Sequence, residues 1–170
     1  MAQSHRIWSL AESFIHKAGA EGLTAATAES CTGGRIGAAL TDVPGSSAVF
    51  ERGFVVYSNE AKADMLGVDA ALIERAGAVS AEVAAAMAKG AIAHSRADLA
   101  VSVTGIAGPE GGNAVKPVGL VWFALATRSG AIRLERRVFA HGSRDFVRTK
   151  AVETALRLFL DGVGAARALD

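Results

Sequence analysis

Over the first nineteen positions Ile7, Leu10, Phe14 and Ile15 return at helical spacing, and the pattern stops at Gly19. A short β-leaning run at 23–28 follows, then a brief helix at 35–40 closed by Pro44 and Gly45, and a second strand at 49–57. Ser58 is placed to cap a helix that passes through Lys62 and Leu66 and stops at Gly67, with Glu60 in its first turn, where the helix dipole favours an acid. A short turn of helix at 70–75 comes next, and Ser80 caps a long alanine-rich helix to about residue 95. The compact apolar run 99–104 reads as a buried strand and 105–117 as a loop. Runs 118–127 and 132–139 alternate apolar and polar residues across Arg128-Ser129-Gly130, the pattern of a hairpin, and Ser143 caps a last helix to about 160. The order α-β-α-β-α-α-β-β-β-α mixes crossovers with a hairpin. It predicts an α/β fold: a mixed parallel and antiparallel sheet with helices on both faces, a three-layer α/β/α sandwich.

Composition narrows the picture. The chain has 170 residues, 51% of them apolar, enough for one domain with one sizeable core, and there is no internal repeat or linker, so residues 1–170 are expected to form a single domain. Net charge is +1 with acids and bases interspersed, which points away from nucleic acid and membrane surfaces and towards a small-molecule partner. The single cysteine, Cys31, rules out an internal disulfide framework, and His5, His16, His94 and His141 show no paired zinc-ligand spacing. No apolar stretch is long enough for a signal peptide or a span, so the expectation is a soluble, unprocessed, cytoplasmic protein.

Candidate chemistry concentrates where the first strand gives way to a glycine-softened helix start, at Thr27-Ala28-Glu29-Ser30-Cys31-Thr32-Gly33-Gly34. A serine there sits beside backbone N–H groups without helical partners, donors that can stabilise an oxyanion or hold a phosphate; the same residue types also serve as plain helix caps. Lys62, near the start of its helix, would have its charge disfavoured by the dipole and by burial, the direction a lysine base needs, although a solvated helix lysine fits the pattern too. Tyr57, the one tyrosine, ends a strand just before that helix and could face the same sheet edge as Ser30. Cys31 is a rival nucleophile with no histidine at a recognisable spacing to activate it. The segment from Gly105 to Gly112 follows a strand but matches neither the P-loop nor the Rossmann spacing. Arg144 and Arg148, in the first turns of the last helix, would suit a phosphate or stand in solvent. Glu29, Glu51 and Glu60 are too dispersed to nominate an acid/base pair or a metal cluster.

Taken together, the Thr27 to Gly34 block, Gly45-Ser46-Ser47, Arg52-Gly53-Phe54-Val55-Val56-Tyr57-Ser58-Asn59-Glu60-Ala61-Lys62, Gly105-Ile106-Ala107-Gly108-Pro109 and Lys116-Pro117-Val118-Gly119 resemble the CinA C-terminal domain family. The likeness runs from about residue 5 to about 160, as a stand-alone domain without the larger N-terminal domain found in many members. It implies a nicotinamide-nucleotide amidohydrolase that converts nicotinamide mononucleotide to nicotinate mononucleotide and ammonia in NAD recycling, with no metal or redox cofactor, and it implies a homo-oligomer, a dimer or higher. It also implies a serine/lysine mechanism: Ser30 matches the family serine and Lys62 the family lysine, with Tyr57 beside them. Cys31, Thr32, Gly33, Ser46, Thr104, Gly105 and Arg144 are the expected substrate-binding positions, and Ser46 and Ser47 stay open as alternative nucleophiles.

On this reading neutral Lys62 takes the Ser30 proton, N–H groups around Cys31 to Gly33 hold the oxyanion, and Arg144 with the 105–112 loop holds the ribose phosphate. Two other readings remain: a non-catalytic nucleotide-binding module associated with competence or damage-inducible functions, and a Cys31 amidase.

Overall fold

A computed structural model describes residues 2–140 and 142–167, with side chains over 4–140 and 142–164. Five strands, β1 (Ala25–Glu29), β2 (Phe50–Val55), β3 (Leu99–Gly105), β4 (Leu120–Thr127) and β5 (Ile132–Val138), form one sheet in the order β2-β1-β3-β4-β5. β1 runs parallel to β2 and β3, while β4 is antiparallel to both of its neighbours, β3 and β5, so the sheet is mixed as the hairpin pattern predicts.

Alternation along the strands decides which helix covers which face. Ala25, Leu99, Val101, Val103, Val121, Phe123 and Leu125 pack on α1 (Ala2–Ala20), α2 (Arg35–Thr41) and α6 (Arg144–Arg167). Phe14 of α1 stacks on Phe159 of α6 with ring centroids 4.6 Å apart. The alternate residues Ala26, Ala28 and Ala100 face α3 (Asn59–Leu66), α4 (Ala70–Ala76) and α5 (Ala81–Ala93). Small side chains bring α5 close to the sheet: Ala84 and Ala88 meet Ala124 and Ala126, and Ser102 Oγ donates to the Ala84 carbonyl at 2.6 Å. At Gly90 the same helix lies so near the end of α3 that a Cβ would overlap the Leu66 carbonyl oxygen.

Capping residues fall where the sequence places them. Ser58 accepts from the Ala61 N–H and Gly67, at φ 67°, ends α3; Ser80 accepts from Val83, and Ser143 from Phe146. The short helix expected at 70–75 is α4, capped by the Asp69 carboxylate through the Ala71 N–H. Two local features differ. A 3-10 turn, Ser46–Ala48, precedes β2. The last helix continues past 160, where Gly162 packs against Leu125 and Leu99.

β1 lies between two parallel neighbours reached in opposite directions along the sheet, and this is the switch point where open α/β sheets make clefts at their carboxyl ends. The ends of β1, β2 and β3 therefore converge on one place. Among the described residues no helix is long and apolar enough to cross a membrane.

Candidate active site

Position 30 continues the alternation of Ala26 and Ala28, so the Ser30 side chain emerges on the α3 side of the sheet. Lys62, one turn into α3, reaches across to it: Nζ lies 3.2 Å from Ser30 Oγ. The other neighbours of Nζ are the carbonyl oxygens of Val56 at 3.1 Å, Ser58 at 3.3 Å and Tyr57 at 3.4 Å. The lysine is 1% exposed, no carboxylate among the described residues bonds to it, and burial pushes its pKa below the ordinary value. Nζ donates to these oxygens, and the neutral form that burial favours carries the lone pair that can take the Ser30 proton.

Ser30, Cys31, Tyr57, Asn59, Lys62, Ala78, Val79, Thr104, Gly105, Ala107 and Arg144 line a cleft of about 200 Å³ at the ends of β1, β2 and β3. Tyr57, 62% exposed, accepts at its hydroxyl from Arg144 Nη2 at 3.0 Å, and Arg144 Nη1 donates to the Gly108 carbonyl at 2.8 Å. One arginine thus joins the β2 end to the 105–112 loop. Thr104 Oγ1 donates to the Ala78 carbonyl at 2.7 Å, fixing the cleft wall between α4 and α5. Cys31 is buried, and desolvation pushes its thiol up to about 12, only partly offset by its own N–H and by Arg148. A protonated thiol makes a poor nucleophile at neutral pH.

Several expected residues take other positions or duties. Ser46 is at the far end of the parallel strands, because Phe50 pairs with Ala25 at the start of β1 and Val55 pairs with Glu29 at its end. It does not reach the cleft, nor does the neighbouring Ser47. The Gly33 N–H donates back to the Ser30 carbonyl at 3.1 Å, so it is not free for an oxyanion. The serine is not the cap of α2 either. That duty belongs to Glu29, 1% exposed, whose Oε2 accepts from the N–H groups of Gly34 and Ile36 at 3.0 Å each while Oε1 accepts from Gly37 at 2.8 Å. Arg148 does not stand open to a phosphate: Nε donates to the Cys31 carbonyl at 3.1 Å and Nη2 to the Thr32 carbonyl at 2.9 Å. The signal for Glu29 was its place just before two glycines, Gly33 and Gly34, whose φ values of 60° and 91° turn the helix start back onto the carboxylate.

Among the described residues no three His, Cys, Asp or Glu side chains are grouped to hold a metal ion, and His141 lies outside those residues.

Comparison with known proteins places this geometry. The CinA C-terminal domain family model matches residues 8–163. Nicotinamide-nucleotide amidohydrolase PncC of Escherichia coli (strain K12) is 55% identical over 138 residues, covering 81% of this chain and 83% of the relative. The protein of the same name from Enterobacter agglomerans is 50% identical over 145 residues, covering 83% and 88%. The crystal structure of competence/damage inducible protein CihA from Agrobacterium tumefaciens superposes with a TM-score of 0.91 at 48% identity, covering 94% of this chain and 96% of that one.

Proposed function

From the premise that the chain belongs to the CinA C-terminal domain family, we propose that it is a nicotinamide-nucleotide amidohydrolase, hydrolysing nicotinamide mononucleotide to nicotinate mononucleotide and ammonia. The observation that carries the mechanism is the buried Lys62 amine 3.2 Å from Ser30 Oγ, surrounded by carbonyl oxygens. Relatives that are 50–55% identical and named for this activity support the reaction.

Lys62 accepts the Ser30 proton as Oγ bonds to the carboxamide carbon, and the carbonyl π pair moves onto oxygen. The N–H groups of Cys31 and Thr32 hold that oxyanion. When the oxyanion collapses the C–N bond breaks, the Lys62 proton goes to the departing nitrogen, and ammonia leaves an acyl-Ser30. Lys62 then takes a proton from water, whose oxygen attacks the ester carbon; the second collapse returns the proton to Ser30 and frees the carboxylic acid, which gives up its own proton to solvent or to the released ammonia. Arg144, held by Gly108 and Tyr57 at the mouth of the cleft, binds the ribose phosphate, with Gly105 and Thr104 shaping the wall behind the ring. Such a single-domain enzyme would work in the cytoplasm as a homo-oligomer.

Ammonia release from nicotinamide mononucleotide by the wild type, Ser30→Ala and Lys62→Ala, each checked for folding by circular dichroism, tests this. Turnover should drop by about 10³-fold or more in both variants. Near-normal turnover by folded Ser30→Ala would sink the assignment.

A further inference from the structure

The turn that carries Ser30 can be audited group by group, because a buried backbone polar group needs a partner. Three successive carbonyls are engaged: Ser30 accepts from Gly33, Cys31 accepts from Arg148, and Thr32 accepts from Arg148 and from the Arg35 N–H. Among its N–H groups, Ser30 donates to the Val103 carbonyl, Gly33 to Ser30, and Gly34 to the Glu29 carboxylate, which also takes Ile36 and Gly37. Of these N–H groups, only those of Cys31 and Thr32 donate to no other described residue.

Two side chains produce this result. Glu29 takes up the N–H donors of the α2 start at Gly34, Ile36 and Gly37, so neither the substrate's phosphate nor its oxyanion can settle there. Arg148 grips the turn from the α6 side, and a trans peptide whose carbonyl points at the guanidinium must point its N–H the other way. The Cys31 carbonyl and the Thr32 N–H belong to one such peptide. A cation donating to that carbonyl also polarises the amide and strengthens its N–H as a donor. The fork is matched to the site: Nε and Nη2 meet two successive carbonyls, and a Cβ on Gly33 would come 3.1 Å from Nη2, which glycine avoids.

We propose that Arg148 is a positioning residue for hydrolysis, with Glu29 as its counterpart: by engaging the Cys31 and Thr32 carbonyls and the N–H groups at the start of α2, the pair leaves the Cys31 and Thr32 N–H groups as the oxyanion donors. This rests on the amidohydrolase reading above. It gives Arg148 a role distinct from that of Arg144, since Arg148 acts through the backbone and never touches the nucleotide.

Steady-state ammonia release by the wild type, Arg148→Lys, Arg148→Met and Glu29→Gln tests it. The expected result is a fall in kcat of about 10–100-fold for Arg148→Met, a smaller fall for Arg148→Lys, which can reach one carbonyl but not both, and a KM within about twofold of wild type. A Glu29→Gln amide must set its own NH₂ against backbone donors and should lower kcat with the same unchanged KM. A tenfold rise in KM with kcat retained would make Arg148 a phosphate ligand and overturn the proposal, as would an unchanged kcat in Arg148→Met. The amide proton resonances of wild type and Arg148→Lys read the same geometry without turnover. Those of Cys31 and Thr32 should move while those of Gly34, Ile36 and Gly37, held by Glu29, stay. Shifts spread over the whole turn, or none at all, would overturn the idea even if the wild type released no ammonia, an outcome that would separately remove the amidohydrolase reading.

Discussion

A lysine buried away from water, with no carboxylate bonded to it among the described residues, loses its proton more readily than one in solvent, and this makes Lys62 sensitive to pH in two separable ways. Because burial lowers its pKa from the ordinary 10.5 in the folded protein, the unfolded chain holds a proton that the folded one lacks between the lowered value and 10.5. Raising the pH through that window therefore favours the folded state, and below it the cost of burying the charge is complete. The melting temperature of wild type should rise with pH there relative to Lys62→Met, which lacks the titration. The kcat/KM profile should show an ascending limb with a pKa below 10.5, reporting the neutral amine. A parallel pH dependence of the two melting temperatures would rule this out. Sequence showed Lys62 as a lysine near a capped helix start, and the family blocks singled it out; its burial was not legible, because the β2 end supplies the carbonyls that enclose it. The duties of Glu29 and Arg148 were not legible for a related reason. Both act on backbone groups, and residue type and spacing do not reveal which peptide N–H or C=O a side chain will meet.

Elements whose boundaries depend on a single local device were readable: the Ser58 cap and Gly67 stop of α3, the Ser80 cap of α5, and the turn between β4 and β5. Contacts between elements were not. The approach of α5 to α3 at Gly90 is an example, since nothing in an alanine-rich helix marks which of its small residues must have no side chain at all. Gly90→Ala would force α3 away through the Leu66 carbonyl, at a cost of about 1–3 kcal/mol in urea denaturation. Lys62 rides on the same short helix, so kcat should fall as well. Full activity together with unchanged stability would show that α3 can yield without moving the lysine.

At the scale of the whole molecule, the α/β order and the hairpin were enough to place helices on both faces of a mixed sheet, whereas the strand order β2-β1-β3-β4-β5 needed the structure. The core between the sheet and the α1–α6 pair reaches the cleft at Cys31 and Ala107, and Phe159 lies about four turns of α6 beyond Arg144. Phe159→Ala, which removes the ring stacked on Phe14, should cost about 3–5 kcal/mol of stability. It should leave KM and kcat near wild type at temperatures where the variant stays folded. Loss of activity in the folded variant would mean that the far half of α6 steers Arg144 and Arg148. The β4–β5 turn has a different consequence. Thr127 pairs with Leu99 at the start of β3, whereas Val121 pairs with Gly105 at its end, so Ser129 and Gly130 sit at the opposite pole from the cleft. A tether attached at Ser129 would present the catalytic mouth outward, which makes that turn the natural handle for fixing the enzyme to an electrode or a bead.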